Sequence, residues 1–214
     1  MLVILTGKSG CGKDTLEEVL IKKNGFEKLL STTSRPKRDG EIEGREYHFV
    51  DKNEFLQLEK EGFFIEHRAY ETLVDGKPDI WYYGLGKQIS KEDIANTDKD
   101  YITILDLDGA KEAINYYGED NCITVFINVD DKTREERASK RGGFDKTEWN
   151  RRLADDNIKF SKEKTNEIID FEMENNLDLS TLKSKFIMNY EAMKIVKTGF
   201  NKNADFDKED YLEI

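Results

Sequence analysis

The chain has 214 residues, of which 37% are charged, and a formal net charge of −11. This length predicts a single α/β domain with insertions, since domains average about 150 residues. The negative charge argues against a nucleic-acid partner, so any anionic ligand has to meet a local cluster of Lys and Arg. No apolar run approaches the roughly 20 residues of a membrane span, and the opening MLVILTG lacks the features of a signal peptide. We therefore predict a cytosolic protein without a membrane partner.

The N-terminal segment predicts a strand, a loop and a helix. Leu2–Thr6 is a short apolar run that ends at Gly7. Residues 14–23 have helical spacing, and one face of that helix carries Leu16, Val19, Leu20 and Ile21.

Apolar runs recur at 101–106 and 122–127, and 168–173 offers a further strand. Helix-like segments separate them, and this alternation predicts a central parallel sheet. Two polar regions, 31–87 and 137–153, interrupt the pattern, and such insertions commonly carry function. The acidic end, 201–214, is interpreted as a solvated tail, with a docking role as the alternative.

The segment GKSGCGKDTL has the spacing of a phosphate-binding loop, G-x-x-x-x-G-K. Its glycines allow successive backbone N–H groups to converge on phosphate oxygens, while the helix that follows adds its dipole. We predict that Lys13 reaches the β and γ phosphates of a bound nucleotide. The predicted nucleotide site, which is the ATP site if the chain is a kinase, comprises Gly7, Lys8, Ser9, Gly10, Cys11, Gly12, Lys13, Asp14 and Thr15.

Asp14 stands where Ser or Thr commonly gives Mg²⁺ a hydroxyl ligand. Mg²⁺ accepts carboxylates and keeps several waters, so Asp14 can hold it directly or through a water, while Thr15 still offers a hydroxyl to phosphate. The alternative is that Asp14 is only an acidic residue favourable at a helix start. Asp14 is therefore compatible with a phosphate-binding loop, although it changes how that loop would hold Mg²⁺.

The two cysteines, Cys11 and Cys122, form no CxxC pair and have no His cluster nearby. Neither a disulfide scaffold nor structural zinc is indicated, and reduced thiols are expected. Cys11 lies inside the glycine-rich loop beside two lysines, which fits either a reactive thiol or a small loop-filling side chain.

The segment STTSRPKRDGEIEGREYHF places Arg35 and Arg38 three residues apart beside Pro36. Two guanidiniums in an extended or turn-like backbone can close on one anion, although a surface charge run has the same appearance. Together with the phosphate loop, the pair indicates a donor nucleotide and an acceptor that carries its own phosphate.

Six segments in this order resemble the guanylate kinase family of nucleoside monophosphate kinases: GKSGCGKDTL, STTSRPKRDGEIEGREYHFV, EFLQLEKEGFFIEH, YYG, ITILDLD and RGGFDKTEWNRRL. The likeness spans approximately residues 1–185. It implies an α/β P-loop NTPase-type three-layer fold in one domain, with a core, an NMP-binding insertion and a lid. The implied ranges are 1–30, 88–136 and 154–190 for the core, 31–87 for the insertion and 137–153 for the lid.

The resemblance also implies the activity, which is Mg²⁺-assisted phosphorylation of GMP, and of dGMP, by ATP. It leaves the oligomeric state open. By similarity, the phosphate of GMP is gripped by Arg35, Arg38, Tyr47 and Tyr83, and the guanine is read by Ser31 and Glu66. Asp106 and Asp108 resemble the acidic pair on the Mg²⁺ and acceptor side of the cleft, so both are implied to contribute to the GMP site. The predicted metal ligands, directly or through a water, are Asp106 from this pair and Asp14 from the phosphate loop.

The lid of the family carries arginines that fold over the transferring phosphates, and the matching residues here are Arg137, Arg141 and Arg152. With Lys13 and Arg38 they form the implied catalytic set. Arg134 and Arg151 are left without an assigned role, and a solvated basic helix face is the plain expectation for them. Asn175 lies near a family position beside the donor base.

Some of these residues have plainer interpretations. Glu66 can be a solvated strand residue in FFIEHRAY, and Asp108-Gly109 looks like a turn. His48 and His67 have no metal-ligand spacing, so packing or surface roles are expected.

Leu85 departs from the family, which commonly offers Ser or Thr to guanine after Tyr-Gly, and the stretch after Asp108 is shorter than usual. Two alternatives to a guanylate kinase stay open. One is a kinase resembling ribose 1,5-bisphosphate phosphokinase, which shares a GKD loop and a YYG segment followed by an apolar residue. The other is a guanylate-kinase-like interaction module without catalysis.

Overall fold

The structure, a computed structural model, describes residues 1–74, 77–140, 144–161, 165, 167–176 and 178–202. The helices are α1 (Lys13–Asn24), α2 (Lys52–Lys60), α3 (Lys91–Asn96), α4 (Leu107–Tyr117), α5 (Asp131–Ser139), α6 (Lys146–Lys159) and α7 (Leu179–Lys202). The strands are β1 (Leu2–Thr6), β2 (Glu27–Lys28), β3 (Thr32–Thr33), β4 (His48–Phe49), β5 (Phe64–Val74), β6 (Lys77–Gly86), β7 (Tyr101–Ile104), β8 (Cys122–Asn128) and β9 (Phe171–Glu174).

The main sheet is parallel, with the strand order β2-β7-β1-β8-β9. β1 lies in its middle, where Leu2 is in register with Tyr101 on one side and Cys122 on the other. The strand expected within 168–173 is β9, which pairs with β8. The prediction of a parallel sheet is confirmed.

Side-chain alternation along β1 builds a core on each face of this sheet. Val3 and Leu5 point to one face, where α1 and α7 cover them with Leu16, Leu20, Leu182, Phe186 and Tyr190. Leu2 and Ile4 point to the other face, which α3 and α4 cover with Ile94, Ala110, Ala113 and Tyr117. The fold is therefore the expected three-layer α/β arrangement.

None of the described helices is long and apolar enough to cross a bilayer.

The buried face of α1 differs from the predicted one. Leu16 and Leu20 are buried, but the third buried residue is Glu17, whereas Val19 and Ile21 are only half-buried. The Glu17 carboxylate lies 2.9 Å from the Lys28 ammonium. A partner contributed by β2 makes this burial tolerable, and helical spacing alone cannot reveal such a partner.

The region between β2 and β7 forms a second sheet with the order β4-β3-β6-β5. Its long antiparallel hairpin, β5 and β6, packs under α2, where the Phe55 ring stacks on Phe64 with 4.4 Å between centroids. A Cβ at Gly84 would lie 2.7 Å from the Phe64 ring, so this close packing requires the glycine of YYG. This sheet occupies the predicted NMP-binding insertion, whose exact bounds stay a prediction.

The lid prediction covers the end of α5 and the start of α6, and its limit at 153 falls inside α6. Arg141 and most of the acidic tail lie outside the described residues.

Candidate active site

The phosphate loop joins β1 to α1 and depends on glycine conformations. Gly10 and Gly12 have φ of 78° and 93°, in the left-handed region. A Cβ at Gly7, with φ of 146°, would lie 2.5 Å from the Ile127 carbonyl oxygen. Gly12 is the N-cap residue of α1 and provides no side-chain hydrogen bond to the helix. The first N–H groups of α1 therefore face the loop as unpaired donors, which suits an anion.

The Lys13 ammonium lies inside this loop. It donates to the carbonyl oxygens of Gly7 at 2.6 Å and Lys8 at 3.2 Å, and lies 3.5 Å from the Cys11 sulfur. Cys11 is fully buried, which favours the loop-filling role over a reactive thiol. Both cysteines are free and buried.

Asn175 and Arg137 meet the loop from outside. The Asn175 amide donates to the Cys11 carbonyl at 2.8 Å, and the Arg137 guanidinium donates to the Asn175 carbonyl at 2.8 Å. Two of the residues matched to the family are thus brought to the loop. Arg152 lies exposed on α6.

A buried ion pair that the sequence did not predict also holds the loop. Arg134 is fully buried, so the expectation of a solvated basic face is wrong for it. Its guanidinium lies 2.8 Å from Asp156 and also donates to the Ser9 carbonyl at 2.8 Å. Asp156 accepts from the Ser9 N–H at 2.9 Å. The sequence does hold one indication that Asp156 is buried: it lies two helical turns after the apolar Trp149, on the same face of α6.

Arg35 is nearly buried, at 3% exposure, and forms a two-pronged ion pair with Glu41 at 2.7 and 2.9 Å. The backbone N–H of Arg38 donates to the same carboxylate at 2.8 Å, while the Arg38 side chain is exposed. Burial lowers the pKa of Arg35, but the hydrogen bond to Glu41 and the neighbouring Tyr83 outweigh it and leave the pKa raised. Glu41 therefore ties the two arginines together.

Tyr47 and Tyr83 lie next to Arg35, and a third tyrosine, Tyr70, packs against Tyr83. The Tyr47 and Tyr83 rings meet edge-to-face at 5.8 Å, and Tyr70 meets Tyr83 at 5.6 Å. Burial raises the pKa of Tyr47 to about 12, and the charges of Tyr83 and Asp14 add to this effect. The charge of Asp14, at the start of α1, is thus close enough to influence the pKa of Tyr47, next to the second sheet.

Glu66 is 5% exposed, so its alternative interpretation as a solvated strand residue is wrong. Its Oε1 accepts from the Leu85 N–H at 3.0 Å, and Arg68 lies 4.0 Å from Oε2. The pKa of Glu66 is raised to about 7, mainly by burial; the charge of Arg68 opposes the shift and the charge of Asp106 adds to it.

Ser31 and Leu85 flank this carboxylate differently. Ser31 is half-buried at the start of the second sheet, and its carbonyl accepts from the His48 N–H at 2.9 Å. The Leu85 side chain is fully buried in the apolar cluster that contains Leu2 and Ile4. It offers the base no hydroxyl.

Asp106 follows β7 and caps α4. Its Oδ1 accepts from the Gly109 N–H at 2.9 Å, and its Oδ2 accepts from the Tyr70 hydroxyl at 3.2 Å. Tyr70, which the sequence analysis missed, thereby joins the second sheet to the edge of the first. Asp108 is exposed in the first turn of α4, so the interpretation of Asp108-Gly109 as a turn is wrong.

The two carboxylates predicted for Mg²⁺ differ in how well they fit the ion. Asp14 is exposed beside the phosphate loop, and none of the described side chains hydrogen-bonds to it. A carboxylate in that setting suits a hydrated Mg²⁺. Both oxygens of Asp106 already have partners, so Asp106 fits a contact through water better than direct ligation.

A family model for guanylate kinase matches residues 1–185. The chain belongs to the guanylate kinase family. It is 35% identical to the guanylate kinase of Clostridium tetani over 127 residues, 59% of this chain and 56% of that one. Against the guanylate kinase of Lactiplantibacillus plantarum it is 31% identical over 157 residues, 72% and 71% of the two chains.

The matched regions span 52 to 64% of the length of four guanylate kinases, among them that of Clostridium tetani. The crystal structure of guanylate kinase from Anaplasma phagocytophilum superposes with a TM-score of 0.63 at 20% identity, covering 97% of this chain and 96% of that one. This likeness shows that the two share a guanylate kinase fold.

Proposed function

We propose that the chain transfers the γ-phosphoryl group of ATP to GMP, and to dGMP, by in-line displacement. The observation that carries the proposal is the hydrogen bond from Tyr70 to Asp106. It joins the sheet that bears Glu66, with Arg35 two residues after its strand β3, to the carboxyl end of β7. β7 lies next to β1, the strand that leads into the phosphate loop. An acceptor on the second sheet and a donor on the loop then share one cleft.

Glu66 is the residue proposed to read the acceptor base, together with Ser31. A carboxylate accepts from two adjacent donors, and guanine presents them at N1 and N2. Adenine offers no such pair of donors, so the buried Oε2 would lose its hydrogen bond to the base, at a cost of about 1 to 3 kcal/mol. The Leu85 N–H fixes Oε1 of Glu66 at 3.0 Å, while Oε2 lies 4.0 Å from the Arg68 guanidinium.

Arg35, Arg38, Tyr47 and Tyr83 are proposed to hold the acceptor phosphate. Glu41 takes two prongs of the Arg35 fork and so fixes the plane of the guanidinium. Arg38 is exposed at the rim, which lets it follow the phosphate as the cleft closes. An acceptor monophosphate has a second pKa of about 6 and is largely ionised near neutral pH, so no general base is required.

The chain's contribution to transfer is alignment and charge stabilisation. The loop N–H groups and Lys13 are proposed to hold the donor phosphates, while Arg137, Arg141 and Arg152 stabilise charge on the transferring group. Asp14 would hold Mg²⁺, with Asp106 acting through a water. When bound, Mg²⁺ neutralises charge on the β and γ phosphate oxygens. An oxygen of the GMP phosphate forms a bond to the γ phosphorus as the bond between the γ phosphorus and the β,γ-bridging oxygen breaks. The products are GDP and ADP.

The test is ADP release from Mg-ATP with GMP, dGMP, AMP, UMP and ribose 1,5-bisphosphate offered separately, for wild type and Glu66→Gln. We expect turnover with GMP and dGMP only, and at least a tenfold loss with the variant, since hydrogen bonds to charged groups contribute about 1.5 to 3 kcal/mol. ATP-only hydrolysis is subtracted as background.

The apolar Leu85 favours one competing function, a sugar-phosphate kinase, because guanine receives no hydroxyl from that position. Turnover with ribose 1,5-bisphosphate alone would establish that function instead. Absence of turnover with every acceptor, with ATP still bound, would favour the non-catalytic module. The cytosolic location stays a prediction.

A further inference from the structure

We propose that Arg134 and Asp156 are positioning residues that set the shape of the phosphate loop for ATP. The inference rests on the proposed function only in taking ATP as the donor. Neither residue belongs to the set matched to the family, and the contacts of both with the loop are to Ser9.

The pair grips a single loop residue on both sides. Asp156 Oδ2 accepts from the Ser9 N–H at 2.9 Å, and Arg134 Nη1 donates to the Ser9 carbonyl at 2.8 Å. The Ser9 hydroxyl adds a longer contact of 3.4 Å to Asp156 Oδ1. Both backbone groups of Ser9 are therefore fixed by side chains from α5 and α6.

The Arg134–Asp156 ion pair lies in the interior of the protein. Arg134 is fully buried and Asp156 is 7% exposed. A second carboxylate, Asp131, lies 2.5 Å from Arg134 Nη2, and the Trp149 ring centroid is 5.6 Å from the guanidinium carbon. Ring, carboxylates and carbonyl together leave the guanidinium little freedom to move.

The loop touches the same two helices on either side of Ser9. The Lys8 ammonium donates to Asn157 on α6 at 2.8 Å. A Cβ at Gly10 would lie 3.2 Å from the Arg134 carbonyl oxygen. Because α5 also carries Arg137 and α6 carries Arg152, the pair fixes the loop relative to the two lid arginines that the structure describes.

Stability alone does not explain such a pair. Exchanging a buried ion pair for apolar side chains of similar volume is often neutral or stabilising, since desolvation offsets the attraction between the charges. Apolar side chains cannot bond the N–H and carbonyl of Ser9. The feature that an ion pair adds here is control of the loop backbone.

The experiment compares R134M/D156L with wild type by equilibrium binding of a fluorescent ATP analogue, by thermal melting and by steady-state kinetics. We expect a melting temperature close to wild type, a Kd and KM for ATP raised about tenfold, and a KM for GMP changed less than twofold. Asp155→Asn is the matched control, since Asp155 is the adjacent residue on α6, is exposed and pairs with Arg151. It should leave the Kd for ATP unchanged.

A folded double variant with wild-type affinity for ATP would overturn the proposal and leave the pair a purely structural role. If the double variant does not fold, Asp156→Asn decides, because it keeps the shape but loses the charge and should weaken ATP binding by at least threefold. ATP binding needs no acceptor, so failure of GMP turnover would reject the proposed function and leave this inference standing. Failure of the wild type to bind ATP would reject the inference itself.

Discussion

The backbone N–H of Leu85 donates a 3.0 Å hydrogen bond to Oε1 of Glu66, across the two strands of the long hairpin. This bond favours the ionised carboxylate, but burial has the larger influence and raises the pKa of Glu66 from an ordinary 4.5 to about 7. The group proposed to read guanine thus titrates near neutral pH, with consequences for both stability and binding.

Glu66→Gln is expected to stabilise the protein at pH 8 and not at pH 4.5. Between pH 4.5 and 7 the folded protein holds a proton that the unfolded chain has released, so wild-type stability falls as pH rises through this window. The neutral amide avoids that loss, which amounts to about 3 kcal/mol. Urea unfolding at pH 4.5 and 8 measures the difference. Glu112→Gln serves as the control, because Glu112 is an exposed carboxylate that also pairs with Arg68. An equal gain in stability for Glu66→Gln at both pH values would contradict the expected effect of burial.

The KM for GMP should rise as the pH falls below about 7, because only the ionised Glu66 accepts from both guanine donors. The phosphate of GMP itself titrates near pH 6 and adds a second slope. Glu66→Gln separates the two, since its profile keeps only the ionisation of the substrate. Profiles of the same shape for wild type and variant would rule out titration of Glu66 as the cause.

Arg35→Lys should lower kcat/KM for GMP by about 10 to 100-fold while the KM for ATP stays near wild type. An ammonium is a point charge that cannot bond both oxygens of Glu41 and a phosphate in one plane, and each charged hydrogen bond contributes about 1.5 to 3 kcal/mol. Arg45→Lys is matched to it, because Arg45 lies in the same segment, is exposed and pairs with Glu46. Equal losses in the two variants would mean that charge alone, and not the Arg35 fork, serves the acceptor.

The sequence was most informative where the chemistry is local. The glycine spacing of the phosphate loop and the apolar runs predicted β1, the loop, α1 and the parallel sheet, because each depends on neighbouring residues. Burial of Glu66 was not predicted, since strand alternation fits either face. It depends on Leu85 and on the helix that follows Asp106.

Partners distant in the chain were missed for the same reason. Arg134 and Asp156 are 22 positions apart and meet only because α5 and α6 pack together around Ser9. Glu17 and Lys28 belong to different elements, and Tyr70 reaches Asp106 across two sheets. The periodicity of apolar residues in a helix or strand cannot predict that a charged residue is buried when its partner belongs to another element.

Gly12→Ala should weaken ATP binding far more than Gly25→Ala, although both glycines flank α1 in the left-handed region, with φ of 93° and 76°. Alanine costs about 1 to 2 kcal/mol in that conformation, and this term is common to the two variants. At Gly25 a Cβ meets nothing within 4 Å, whereas at Gly12 it would lie 2.5 Å from the Asn175 amide nitrogen. The alanine side chain of Gly12→Ala must therefore displace the Asn175 amide from the Cys11 carbonyl.

Thermal melting and equilibrium ATP binding measure the two effects separately. Both variants should lose similar stability from backbone strain, with a further loss for Gly12→Ala, and only Gly12→Ala should raise the Kd for ATP, by at least tenfold. Gly12→Ala combined with Asn175→Ala removes the clash but keeps the strain. Partial recovery of affinity in that double variant would assign the defect to the contact with Asn175, and no recovery would assign it to the conformation of the loop itself.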